Sequence, residues 1–89
     1  MLSRTLQIVN KLGLHARAAA KLTQIAGGFT SEIWLSRSGR RVNAKSIMGV
    51  MMLAAGQGTS VLVEASGDDA EQALTAITKL VAERFGENE

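Results

Sequence analysis

Thr30-Ser-Glu-Ile-Trp-Leu-Ser-Arg-Ser-Gly-Arg-Arg-Val-Asn-Ala44 is the stretch that decides the architecture. Residues 30–37 read as a strand, with Ile33 and Leu35 on one face and Trp34 on the other. Ser38-Gly39 has the composition of a hairpin turn, and Arg40 to Ala44 reads as a short return strand. An antiparallel sheet of this kind can keep one face wet, so a single apolar face remains to be covered.

The flanking segments supply the cover. Upstream, residues 3–9 partly alternate and read as a strand with Leu6 and Ile8 toward the core. Asn10 to Leu14 is a loop with Gly13 as its flexible point. Ala16 to Ala26 reads as a helix whose apolar stripe is Ala18, Ala19, Leu22, Ile25 and Ala26, with Arg17, Lys21 and Gln24 on the other side. Gly27-Gly28 would stop it in a left-handed cap. Downstream, Ser46 reads as the N-cap of a short helix through about Leu53. Gly56-Gln57-Gly58 is a turn, and Thr59 to Ala65 a fourth strand. Gly67-Asp68-Asp69 opens the last helix, with capping-box spacing at Asp68 to Glu71 or Asp69 to Gln72. Ala70, Ala73, Leu74, Ile77, Leu80, Val81 and Phe85 recur at helical spacing up to Gly86. The order βαββαβα predicts an α+β fold, a two-layer open-faced sandwich with a four-stranded antiparallel sheet and three helices on one face. Residues 1–89 are expected to form one domain.

Composition narrows the function. With 46% hydrophobic and 20% charged residues, the 89-residue chain is an ordinary globular one and not disordered. The absence of cysteine excludes a disulfide framework, an iron–sulfur cluster and a thiolate metal site. It also suits a cytoplasmic location. The longest uncharged apolar run, Ile47 to Gly56, is too short for a bilayer, and no signal peptide is expected. Charge is lopsided. Residues 1–31 hold Arg4, Lys11, Arg17 and Lys21 and no acid, whereas the segment from Val61 holds seven acids against Lys79 and Arg84. A basic surface attracts an anionic partner. Aromatic content of 3% argues against base stacking, so Arg37, Arg40 and Arg41 read as a solvated hairpin and no nucleic-acid partner is expected.

Chemistry concentrates in Asn10-Lys-Leu-Gly-Leu-His-Ala-Arg-Ala-Ala-Ala-Lys-Leu22, which holds the only histidine. His15 falls just before the first helix, and Arg17 in its first turn. A helix start presents unpaired N–H groups and partial positive charge, a ready anion site. Arg17 adds a planar cation matched to phosphate oxygens. A neutral imidazole nitrogen is a nucleophile at physiological pH. A lone histidine at a helix start is more often a surface or capping residue, so the arrangement permits phosphoryl transfer without requiring it. One histidine without cysteines makes no metal set, and no cofactor is expected. Gly56-Gln-Gly-Thr59 lacks the lysine of a phosphate-cradling loop. On the short helix, Ile47, Met48, Met51 and Met52 cannot all point inward, so Ile47, Met48 and Met51 are expected to form an exposed apolar patch.

Leu12-Gly-Leu-His15-Ala-Arg17 resembles the active-site motif of the HPr family, the histidine-containing phosphocarriers of the bacterial phosphotransferase system. Gly28-Phe-Thr-Ser-Glu-Ile33, Asn43-Ala-Lys-Ser46-Ile-Met and Gly56-Gln-Gly-Thr59 extend the likeness over nearly the whole chain. The resemblance implies a carrier, not an enzyme, that accepts a phosphoryl group on Nδ1 of His15 from enzyme I and passes it to enzyme II components, the A components among them. It assigns Arg17 and the neighbouring amide to phosphoryl stabilisation. It makes Ser46, which an ATP-dependent HPr kinase/phosphorylase modifies in many members, a regulatory candidate. A docking face would run over Ala20, Lys21 and Gln24 of the first helix and Ile47, Met48 and Met51 of the second. A carrier showing one face to successive partners is expected to be monomeric. Two departures stand out. Proline commonly follows the arginine where this chain has Ala18, and basic residues common at 24, 27 and 49 are Gln24, Gly27 and Gly49. Lys21, Lys45 and Arg17 would then carry the steering charge. The alternatives are a paralogous carrier of the nitrogen-related chain and a regulator that binds without phosphotransfer.

Overall fold

A computed structural model describes residues 1–89. Strands β1 (Leu2–Gln7), β2 (Glu32–Arg37), β3 (Arg40–Asn43) and β4 (Ser60–Ser66) form one antiparallel sheet in the order β1-β4-β2-β3. Helices α1 (Ala16–Gly27), α2 (Ile47–Met52) and α3 (Ala70–Ala82) cover one face, giving the open-faced βαββαβα sandwich. Alternation builds the core: Ile33 and Leu35 of β2 lie beside Ala65 and Val63 of β4, and all four are buried. Trp34 stays half-exposed on the wet face, where the Arg41 guanidinium lies 4.4 Å from its ring centroid. No helix is long and apolar enough to cross a membrane.

The hairpin forms as its sequence dictates. Ser38 and Gly39 both take positive φ, 50° and 81°, the twist that suits a two-residue connection. Its arginines are less idle than a solvated hairpin implies. Arg37 donates to the Leu53 carbonyl at 3.0 Å and Arg40 to the Met52 carbonyl at 2.9 Å, placing two cations at the C-terminal end of α2. Arg41 pairs with Glu64 at 3.3 Å.

Several expectations need correction. β1 ends at Gln7, so Ile8, although buried, lies just past the strand, and Leu6 is only partly buried. In α1, Ile25 is 37% exposed, and Thr23 is buried in its stead, its hydroxyl satisfied by the Ala20 carbonyl at 3.0 Å. The helix runs through Gly27, and Gly28 closes it in a right-handed conformation (φ −77°), so neither glycine makes a left-handed cap. Neither capping box forms at α3. Asp69 is the N-cap residue, yet its side chain makes no capping bond. It instead accepts the N–H of Thr30 at 2.9 Å, the N–H of Ser31 at 3.0 Å and the Ser31 hydroxyl at 2.5 Å, pinning the start of α3 to the approach to β2.

The last helix also stops short of Phe85, at Ala82. Arg84, Phe85 and Gly86 then turn at φ 56°, 55° and 79°. Two non-glycine residues in that region cost about 1–2 kcal/mol each. Full burial of the Phe85 ring offsets much of this, contributing roughly 1.5–3 kcal/mol. Lys21 Nζ adds a 2.6 Å bond to the Phe85 carbonyl. Phe85 is thus a plug under a reversed tail.

Hydrogen bonds from the Ser31 hydroxyl and the Thr30 N–H hold the Asp69 carboxyl down to about 2 from an ordinary 3.8. A depressed carboxyl contributes stability that is complete above its unfolded value and lost as pH falls toward its folded one. The stability gap between wild type and Asp69→Asn, measured by urea unfolding, should therefore be constant above about pH 5 and close between pH 3.8 and 2. A gap independent of pH would show that the carboxylate is not the stabilising species.

Candidate functional site

The loop before α1 is braced from below. Gly13 sits at φ 66°, and a Cβ there would lie 2.5 Å from the Ala55 carbonyl oxygen and 2.8 Å from Gly56 Cα, so only glycine fits this approach. Leu14 donates its N–H to that same Ala55 carbonyl at 2.9 Å and buries its side chain. The chain consequently reaches α1 with His15 as the N-cap residue, its carbonyl accepting the Ala19 N–H at 2.8 Å. The imidazole makes no capping bond. The N–H groups of Ala16, Arg17 and Ala18 therefore have no partner in the fold, and Ala16 and Arg17 are exposed at the helix start while Ala18 is buried.

The imidazole is 28% exposed. Its Nε2 lies 2.5 Å from Glu87 Oε2. A carboxylate only accepts, so Nε2 carries the hydrogen, and in the neutral imidazole Nδ1 then carries the lone pair. The second oxygen, Glu87 Oε1, accepts from Nδ2 of the buried Asn10 at 3.0 Å, and the same nitrogen donates to the Gly13 carbonyl at 2.9 Å. The hydrogen bond from His15, with that from Asn10, holds the Glu87 carboxyl below the usual carboxylate range. His15, Ala16, Arg17, Lys11 and Glu87 line one open cleft.

The acid-rich end thus folds back on the basic beginning. Of the four bases in residues 1–31, Arg4 donates to Thr78, Lys11 pairs with Glu89 and Lys21 is held by the Phe85 carbonyl. Arg17 alone has no side-chain hydrogen bond or ion pair, and it is exposed in the first turn beside the open amides. It is the base available to an anion there.

A second group of expected residues lies on the neighbouring helix, which packs against α1. Ser46 caps α2, its Oγ accepting the Gly49 N–H at 3.1 Å, a bond worth about 0.5–2 kcal/mol. Val50 is the one fully buried residue of α2, while Ile47, Met48 and Met51 are 46%, 71% and 39% exposed. Met52 is exposed as well. On α1, Gln24 is exposed, whereas Ala20 and Lys21 are half-buried. Lys45 uses its ammonium on the Phe29 carbonyl at 2.8 Å. No group of three or more His, Cys, Asp or Glu is placed to hold a metal ion. Asn10 and Glu87 are the site residues that sequence reasoning missed. Glu87 lies 72 positions from His15, beyond a turn whose reversal has no periodic signature.

Helix amides without partners, an unpaired guanidinium and a partly exposed imidazole thus border one cleft, an arrangement suited to an anion. Comparison with known proteins carries this to a family. Residues 2–83 match the family model described as the phosphotransferase-system HPr component phosphorylation site. Phosphocarrier protein HPr of Cupriavidus necator is 61% identical over the full length of both chains, and that of Neisseria meningitidis 52%. A crystal structure of HPr-C-His from Thermoanaerobacter tengcongensis superposes with a TM-score of 0.96 at 47% identity, covering all of both chains. The chain belongs to the HPr family. It is a non-enzymatic phosphohistidine carrier of the phosphoenolpyruvate-dependent phosphotransferase system, with enzyme I and enzyme II proteins as partners.

The unpartnered Ala18 amide bears on the departure from proline in the family motif. Because that N–H bonds nothing in the fold, proline removes no hydrogen bond and restricts the unfolded chain. Ala18→Pro should raise stability by about 0.4–1 kcal/mol, read from urea unfolding. A lower midpoint would count against the assigned helix start.

Proposed function

We propose that His15 is the residue that carries the phosphoryl group, on Nδ1, and that Arg17 with the open amides of Ala16 and Arg17 holds the phosphoryl oxygens. One observation carries the reading: His15, whose ring is tied to Glu87 through Nε2, lines the same cleft as the exposed, unpartnered helix start at Ala16 and Arg17 and the unpaired Arg17 guanidinium. Amide dipoles and Arg17 offset the phosphoryl charge without enclosing it, so the group stays reachable for the next acceptor. On this reading residues 1–89 work as one cytoplasmic, monomeric domain, and the enzyme II acceptors include A components.

The docking face comprises Ala20, Lys21 and Gln24 of α1 with Ile47, Met48 and Met51 of α2. Support comes from the packing of the two helices side by side and from the three large apolar side chains left outside the core. Ser46, at the edge of that face, is the regulatory position, a substrate of an HPr kinase/phosphorylase. Phosphate there adds about −1.5 to −2 charges and acts by repelling an acidic partner while the helix persists.

The test is phosphorylation by enzyme I and phosphoenolpyruvate. Wild type should acquire acid-labile, base-stable phosphate, His15→Ala none, and Arg17→Ala should accept it roughly a hundredfold more slowly. Labelling of His15→Ala at the wild-type level would end the assignment. Ser46→Asp should slow acceptance by about tenfold at low salt and recover part of the loss at high salt, the mark of a charge effect on encounter. An undiminished low-salt rate would reject the electrostatic role of Ser46.

A further inference from the structure

We propose that Glu87 is a positioning residue for phosphoryl transfer: its carboxylate holds the Nε2 proton of His15, so that Nδ1 presents its lone pair and the proton stays on the ring throughout. The inference rests on the reading of His15 as acceptor and adds the group that prepares it.

The arrangement is built, not incidental. Glu87 Oε2 meets His15 Nε2 at 2.5 Å, and Glu87 Oε1 is fixed at 3.0 Å by Asn10, itself fully buried and anchored to Gly13 at 2.9 Å. The tail is delivered to this place by the left-handed turn at Arg84, Phe85 and Gly86, by the buried Phe85 ring and by the Lys21 bond to the Phe85 carbonyl. The neighbouring Lys11–Glu89 pair is a different case, with both side chains about two-thirds or more exposed (67% and 71%), and contributes little. Glu87 is 18% exposed and faces the histidine from its nitrogen edge. Its carboxyl, held down by the His15 bond, is ionised at neutral pH.

The step balances without a proton leaving or entering the ring. The Nδ1 lone pair forms the N–P bond, and the bond from phosphorus to the donor breaks, its electron pair leaving with the donor. The ring, still protonated at Nε2, becomes a cationic phosphoimidazole. A carboxylate in contact with that proton offsets the developing charge, as a buried acid does for the imidazolium of a hydrolase triad. In onward transfer the acceptor's nucleophile bonds to phosphorus, the P–Nδ1 bond breaks and its pair returns to Nδ1. The same carboxylate thus serves both directions.

Single-turnover transfer from phosphorylated enzyme I to wild type, Glu87→Gln, Glu87→Ala and His15→Ala tests the role. Glu87→Gln keeps an amide oxygen for Asn10 and separates charge from tail attachment. Both Glu87 variants should be about tenfold slower, comparable to losing the outer partner of a metal-bound histidine. Ring nitrogen-15 spectra should show the Nε2–H form of the neutral imidazole dominant in wild type and less populated in both variants. Wild-type rates in both variants, with His15→Ala inert, would overturn the positioning role and leave the acceptor assignment intact. A His15→Ala protein that still accepts phosphate would overturn the acceptor reading itself. A Glu87 carboxyl that titrates at the ordinary carboxylate value in wild type would show that the pair does not persist in solution, and would equally sink the proposal.

Discussion

A helix whose first amides bond to nothing in the fold is tolerable only where water or an anion can reach them. That requirement governs the working end of this protein. Covering the start of α1 would leave buried donors without acceptors, at about 1–3 kcal/mol for each. The fold keeps it open by spending no side chain as a cap: His15 occupies the N-cap position and turns its ring toward Glu87. Holding the chain in that position takes rigid backbone behind it, which the close approach of Gly13 to Ala55 and Gly56 provides. The ring is therefore presented by a braced loop, not by a mobile one.

The same economy explains the charge distribution along the chain. A basic first third and an acidic last third would, on separate surfaces, create a strong dipole. Here the acidic tail returns to the histidine, and Lys11 and Lys21 are used within the fold. What remains at the helix start is one uncommitted cation, Arg17, in the cleft that it lines with His15. The arginines of the β2–β3 hairpin are likewise occupied, two of them at the end of α2. A helix of six residues has little stability of its own, so a support at each end, Ser46 and these guanidinium groups, suits its length.

Much of this was legible in the residues because local chemistry and global fold agree there. Alternation at Ile33 and Leu35, the Ser38-Gly39 turn, the Ser46 cap and the exposed apolar patch of α2 follow from nearest-neighbour rules, and the placement of His15 just before the first helix with Arg17 in its first turn was equally local. Legibility failed where a distant partner competed with a local one. Asp69 has the spacing of a capping residue, but the Thr30 and Ser31 donors, which the topology brings to it, outbid the amides of its own helix. Phe85 continues the helical period yet leaves the helix, and burial of its ring in the core offsets much of what the backbone loses by turning. Glu87 follows from that reversal and was invisible for the same reason.

Trp34 is the sole tryptophan, and strand alternation sets it on the sheet surface turned away from the helices. Its indole is half-shielded and stacked under Arg41. Nature has thereby installed an intrinsic fluorophore on the quiet side of the molecule. Its emission therefore reports the integrity of the sheet from the face that the helices leave uncovered, so unfolding can be followed without a label.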